Sequence, residues 1–113
     1  MPKGEYLGEF EQLVILALLR LERNAYGMTV RRELEKTAQR PVALGAVYAT
    51  LDRLEDKGLV ASWHTDPDPS RGGHPRRYFK VEPAGEQALA RSRAIMQRMW
   101  DGVELGELGE ATS

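Results

Sequence analysis

Apolar residues recur at helical spacing in four stretches of this chain, and two short β-prone runs lie between the third stretch and the fourth. From Glu9 to Leu21, a first helix gathers Phe10, Leu13, Val14, Leu16, Ala17 and Leu21 on one face, while Ile15, Leu18 and Leu19 widen that face almost all round. A helix so apolar is buried on most sides, which in a small protein calls for a second subunit. The second stretch, Tyr26 to Gln39, sets Tyr26, Val30, Leu34 and Thr37 toward a core and turns Arg31, Arg32 and Lys36 outward. Pro41 then stops it, because proline cannot continue the helical ladder and pushes its predecessor out of helical conformation. The third stretch begins near Ala43, a poor cap with no side-chain oxygen for the free amides. Leu44, Val47, Tyr48, Leu51 and Leu54 anchor it, and Ala46, Ala49, Thr50 and Arg53 fall on its free side. Lys57 and Gly58 end it by a cation in the last turn and a residue suited to left-handed backbone.

Leu59 to Thr65 and Arg76 to Val81 are expected to pair as a hairpin around the long loop 66–75, which holds three prolines and a Gly-Gly pair. Pro83 suits a first helical position, and the last helix is expected over Ala84 to Val103. Leu89, Met96 and Val103 repeat every seven residues in it, with Ser92 and Met99 at the intervening seam positions, the spacing of a short coiled coil. The fold class that follows is mainly α with a small β-hairpin. Residues 8–82 form a winged helix-turn-helix, 83–103 a C-terminal dimerisation helix, and 104–113 a tail with little to bury. Dimerisation is assigned to Leu13, Leu16, Leu89, Met96, Met99 and Val103.

Charge sharpens this reading. The net charge is −1, which taken whole speaks against a nucleic-acid binder, yet residues 20–80 hold 12 of the 16 cations against 8 of the 17 anions. Double-stranded DNA is the expected partner, with the third helix in the major groove and a basic wing beside it. The DNA-contacting residues are expected to be Arg31, Arg32, Ala46, Tyr48, Ala49, Thr50, Arg53, Arg71, Gly72, Arg76 and Arg77. The alternative is a winged helix that binds another protein, which would not need cations concentrated between residues 20 and 80. No cysteine is present, no apolar run approaches the ~20 residues a membrane helix needs, and the start lacks a signal-peptide pattern, so the expected place is the cytoplasm. His64 and His74 near Asp66 and Asp68 lie on a proline-broken loop, a poor place to fix ligand geometry, and no nucleophile and base are paired by the pattern. Neither an enzyme nor a metal or other cofactor is expected.

With helix-turn-helix, hairpin and last helix in order, the chain resembles the PadR-like winged-helix transcriptional regulators over about residues 8–101. The resemblance rests on Leu13-Val14-Ile15-Leu16-Ala17-Leu18-Leu19, on Ala25-Tyr26-Gly27, on Arg76-Arg77-Tyr78-Phe79-Lys80-Val81, and above all on the run from Leu44 to Val60. There the spacing Gly-x-x-Tyr-x-x-Leu-x-x-Leu-Glu-x-x-Gly-Leu is occupied by Gly45, Tyr48, Leu51, Leu54, Glu55, Gly58 and Leu59. The resemblance implies a homodimeric repressor on an inverted-repeat operator, with Tyr48 near the DNA backbone. It also implies a candidate site for a small aromatic effector at Met96, Met99 and Trp100, because some PadR-like proteins place a tryptophan of the last helix in a drug-binding pore. Ala43, Ala49 and Glu82 depart from the family's usual Ser or Thr, Pro and Thr.

Overall fold

The computed structural model describes residues 6–66, 68, 70 and 72–106. Four α-helices and one hairpin follow in the expected order: α1 (Glu9–Leu21), α2 (Gly27–Thr37), α3 (Leu44–Asp56), β1 (Val60–His64), β2 (Arg77–Val81) and α4 (Pro83–Trp100), with a 3-10 turn over Glu22–Asn24. The first three helices enclose the core. Val14, Ile15 and Leu18 of α1 meet Val30 and Leu34 of α2 and Val47, Leu51 and Leu54 of α3, and Phe79 of β2 closes one side.

Local chemistry accounts for the ends. α1 begins where Glu11 reaches back to accept a hydrogen bond from the Gly8 N–H at 2.9 Å, and α2 begins where Thr29 Oγ1 does the same for Tyr26 N–H at 2.9 Å. α2 stops at Thr37, two residues before the expected Gln39, since Gln39 takes a positive φ of 52° and the Arg40 N–H turns back to the Leu34 carbonyl at 3.0 Å. Thr37 is therefore exposed rather than in the core. α3 starts at Ala43 with no side-chain cap and ends in a Schellman turn. Gly58 sits at φ +77°, its N–H bonds the Glu55 carbonyl at 2.9 Å, and Leu59 N–H bonds that of Leu54 at 3.0 Å.

β1 and β2 pair antiparallel from Val60 opposite Val81 to His64 opposite Arg77. Tyr26 adds an isolated bridge to Tyr78, and Phe79 N–H bonds the Ala25 carbonyl at 2.9 Å, so the wing is tied to the start of α2. Trp63 stacks on Tyr78 with ring centroids 6.0 Å apart, and Tyr78 meets Tyr26 edge-on at 5.4 Å. The root of α4 is packed closely: a Cβ at Gly85 would collide with the Leu59 carbonyl oxygen. Beyond Ala94 every residue of α4 is exposed, so its last third leaves the body of the molecule, whose longest extent is 55 Å. α4 ends at Trp100, short of the expected Val103, because Gly102 adopts φ +76°. Val103 is thus a residue of the following turn and not of a helical seam.

Candidate nucleic-acid interface

α3 is held from three directions. Tyr48 lies over Gly27 at the head of α2, where a Cβ would run into its ring, and its centroid is 6.4 Å from that of Phe79. A helix-turn-helix crossing this close needs glycine at position 27 for space, not for backbone freedom. Tyr48 is accordingly half-buried.

From α1 comes Glu11. Its residue is 7% exposed, and besides capping Gly8 it accepts from Lys57 Nζ at 2.9 Å and Arg53 Nε at 3.3 Å. Burial pushes the Glu11 carboxyl up, but the hydrogen bonds from Lys57, Gly8 and Arg53 outweigh it and hold its pKa below the usual carboxylate range. Arg53 also approaches Thr50 Oγ1 at 3.4 Å. Arg53 is hence a half-exposed cation leaning on α1, where the sequence pattern suggested one standing free.

From the wing comes Arg77. Its guanidinium donates to Glu55 Oε1 at 2.6 Å and to Ser62 Oγ at 3.2 Å, pairs with Asp52 Oδ1 at 3.0 Å, and lies 4.7 Å from the Phe79 ring centroid. Glu55 completes the knot by accepting from Ser62 N–H at 3.1 Å and Ser62 Oγ at 2.8 Å. Ser62 and Arg77 together hold the Glu55 carboxyl below its usual range against a partial desolvation. Desolvation works against the Arg77 charge, yet Asp52 and Glu55 raise its pKa further. This residue, expected to be a wing cation for phosphates, is instead the buckle between wing and α3.

The remaining expected contacts divide. Ala46 and Ala49 are exposed on the outer face of α3, together with Gly45, Asp52, Arg53 and Asp56. Thr50 is 3% exposed and faces the core, so its assignment to the free side is corrected: one step of 100° carries it from the stripe that Ala49 occupies. Arg32 is exposed, and Arg31 pairs with Glu35 at 3.3 Å. Gly72 lies exposed at the wing tip with φ +72°, while Arg71 lies outside the described residues. Arg76 rests over the Tyr26 ring, 4.1 Å from its centroid, where the wing loop enters β2. None of Glu11, Asp52, Glu55 and Ser62 is among the expected site residues, and Glu55 enters the sequence reading only as part of the family spacing. Asp52 and Glu55 could have been found on a helical wheel, whereas Glu11 meets partners 42 and 46 residues away, beyond any local pattern.

On the far side, Leu16 and Leu19 of α1 and Leu89, Met96 and Trp100 of α4 line an open groove of about 960 Å³. Leu16, Met96, Met99 and Trp100 are exposed, and Leu13 and Leu89 are half-buried. Met96, Met99, Trp100, Val103 and Leu105 border a smaller hollow at the end of α4.

Comparison with known proteins decides what this arrangement is. The chain matches the transcriptional regulator PadR-like family over residues 15–91. The chain belongs to the PadR-like family of transcriptional regulators. It is 32% identical to the transcriptional regulator Rv3488 of Mycobacterium tuberculosis over 78 residues, 69% of this chain and 68% of that one. A PadR-like transcription factor from Bacteroides fragilis superposes with a TM-score of 0.70 at 27% identity, covering 81% of this chain and 84% of the other. A PadR family regulator from Eggerthella lenta gives 0.66 at 28% identity, over 93% and 87%. This PadR-like chain is therefore a winged-helix, DNA-binding transcriptional regulator and not an enzyme. No helix among its described residues is long and apolar enough to cross a membrane. The family match ends at Arg91, ahead of the groove's distal residues Met96 and Trp100.

Proposed function

We propose that this PadR-like regulator is a homodimeric repressor that grips an inverted-repeat operator, inserting α3 of each subunit into successive major grooves. The observation that carries the reading is the outer face of α3, where Gly45, Ala46 and Ala49 are exposed and short enough to let the helix axis approach base edges closely. Arg53 sits at the rim of that face, and Arg76 and Gly72 belong to the wing beside it. Arg31 and Arg32 in the middle of α2 and the half-buried Tyr48 at its head serve the phosphate backbone. Two recognition helices must be spaced about one helical turn of DNA apart, and the uncovered apolar strip of α1 and α4 is the surface suited to set that spacing. Leu13, Leu16, Leu89, Met96 and Met99 lie along it.

The same strip suits a planar aromatic effector, which would lodge against Met96, Met99 and Trp100 and release the repressor by favouring a spacing the operator does not fit. Tryptophan fluorescence of a Trp63→Phe variant, titrated with planar aromatic compounds, tests that part; quenching that leaves DNA affinity unchanged removes it. The central proposal is tested by titrating the protein with random duplex DNA at rising salt. Affinity that falls steeply and linearly in log–log form supports it, because each neutralised phosphate releases counterion. No retention on DNA at low salt overturns it.

A further inference from the structure

We propose that Asp52 is a specificity-determining residue of α3, a carboxylate presented by Arg77 to accept a hydrogen bond from a base amino group on the floor of the major groove. The inference rests on the reading that α3 enters that groove. Along the exposed face of the helix, Gly45, Ala46 and Ala49 bring no polar side-chain atom, and Asp56 is the helix's last residue. Arg53 spends its Nε on Glu11, at the α1 edge of the face. Asp52 stands midway, one turn beyond Ala49, and its side chain is 57% exposed.

That exposure is combined with a fixed geometry. Oδ1 is paired with Arg77 at 3.0 Å, and Arg77 is itself immobilised by Glu55, Ser62 and the Phe79 ring. Oδ2 has no partner among the described residues. A lone carboxylate between two phosphate backbones is repelled; one that shares a guanidinium is neutralised locally and can enter. It can then only accept. Cytosine N4 offers a donor there, and adenine N6 does so beside an acceptor, whereas guanine and thymine present acceptors that repel the oxygen. Asp52 thereby favours cytosine and rejects guanine and thymine at one position of each half-site.

The sharpest test uses a substitution that changes the hydrogen-bonding code without changing shape. Wild type, Asp52→Asn and Asp52→Ala, each shown by circular dichroism to melt cooperatively, are used to select binders from a pool of random duplex DNA. The expected result is that one cytosine position in the wild-type motif turns to adenine with Asp52→Asn, since an amide pairs with N6 and N7 of adenine, and becomes unrestricted with Asp52→Ala. Preference for the wild-type base there should fall by about fivefold or more. Binding of unselected DNA should rise in both variants, which have lost a negative charge. An identical motif in all three proteins overturns the proposal. So does a motif weakened uniformly at every position, which would mean that Asp52 acts only by seating the wing. A wild type that enriches no motif overturns the DNA-binding reading on which the proposal rests.

Discussion

Two neighbouring arginines of the wing, alike in sequence, have opposite employment. Arg77 makes contacts to Glu55, Ser62 and Asp52 that join the wing to α3, while Arg76 lies at the surface over Tyr26. Arg77→Ala is expected to lower folding stability by about 1–2 kcal/mol, the worth of a partly exposed charge-assisted pair, and chemical denaturation measures it. Arg76→Ala should shift the unfolding midpoint less than Arg77→Ala does and reduce the salt slope of DNA binding by roughly 1. The reverse assignment of effects would make Arg77 the phosphate contact after all. Glu11 carries a second expectation, because its pKa is lowered in the fold from the ordinary 4.5. A carboxyl with a depressed folded pKa contributes stability that is complete above its unfolded pKa and is lost as pH falls through the folded value. Thermal unfolding of wild type should therefore weaken between pH 5 and the more acid range faster than that of Glu11→Gln, whose amide oxygen still caps Gly8. Parallel pH profiles for the two proteins would show that the charge on Glu11 stabilises nothing.

At the scale of elements, periodicity was a good guide wherever a helix has one wet face and one dry one. α1 matches its expected limits, and Gly58 and Pro83 mark real boundaries. Its failures have physical causes. The wheel groups Thr50 with the free face of Ala46, Ala49 and Arg53, but its position at the edge of that stripe turns it inward beside Val47 and Leu51. The length of α2 was overestimated because a positive φ at Gln39 has no apolar signature. The expected wing surface was basic, whereas the fold brings Asp52 and Glu55 to Arg77 from a helix more than twenty residues earlier, a match no local window contains. Missing side-chain chemistry was legible too. Ala43 caps α3 with no side-chain hydrogen bond while holding extended backbone angles of −72° and 144°, the conformation a capping serine uses. Ala43→Ser should raise stability by about 1 kcal/mol, read as a shift of the urea midpoint with unchanged slope. No shift would mean that the first amides of α3 are already satisfied in solution.

For the whole molecule, the decisive imbalance is that the side of α1 facing away from α2 and α3 and one side of the end of α4 are apolar yet uncovered. Leu16, Leu19, Ile95, Met96, Met99 and Trp100 are all exposed, Met99 at 72%. Isolated exposed apolar side chains are ordinary, but six on two adjoining helices form a patch of the kind that marks an association surface. An extended helix that leaves its own domain gains nothing from these residues unless another surface meets them. In the proposed homodimer a second copy would supply the same strip, in the two-fold arrangement that closed dimers use. Leu16→Asp and Met99→Asp place a charge on that strip from α1 and from α4 separately, at positions where the single chain packs little, so each should keep its circular dichroism spectrum. Wild type is expected to sediment as a dimer at micromolar concentration and each variant as a monomer. DNA binding should then fall by about 10²-fold or more, since the second half-site ceases to be held at high effective concentration. Dimers in both variants would move the interface elsewhere, and a monomeric wild type would leave one α3 per binding event and one half-site as the whole target.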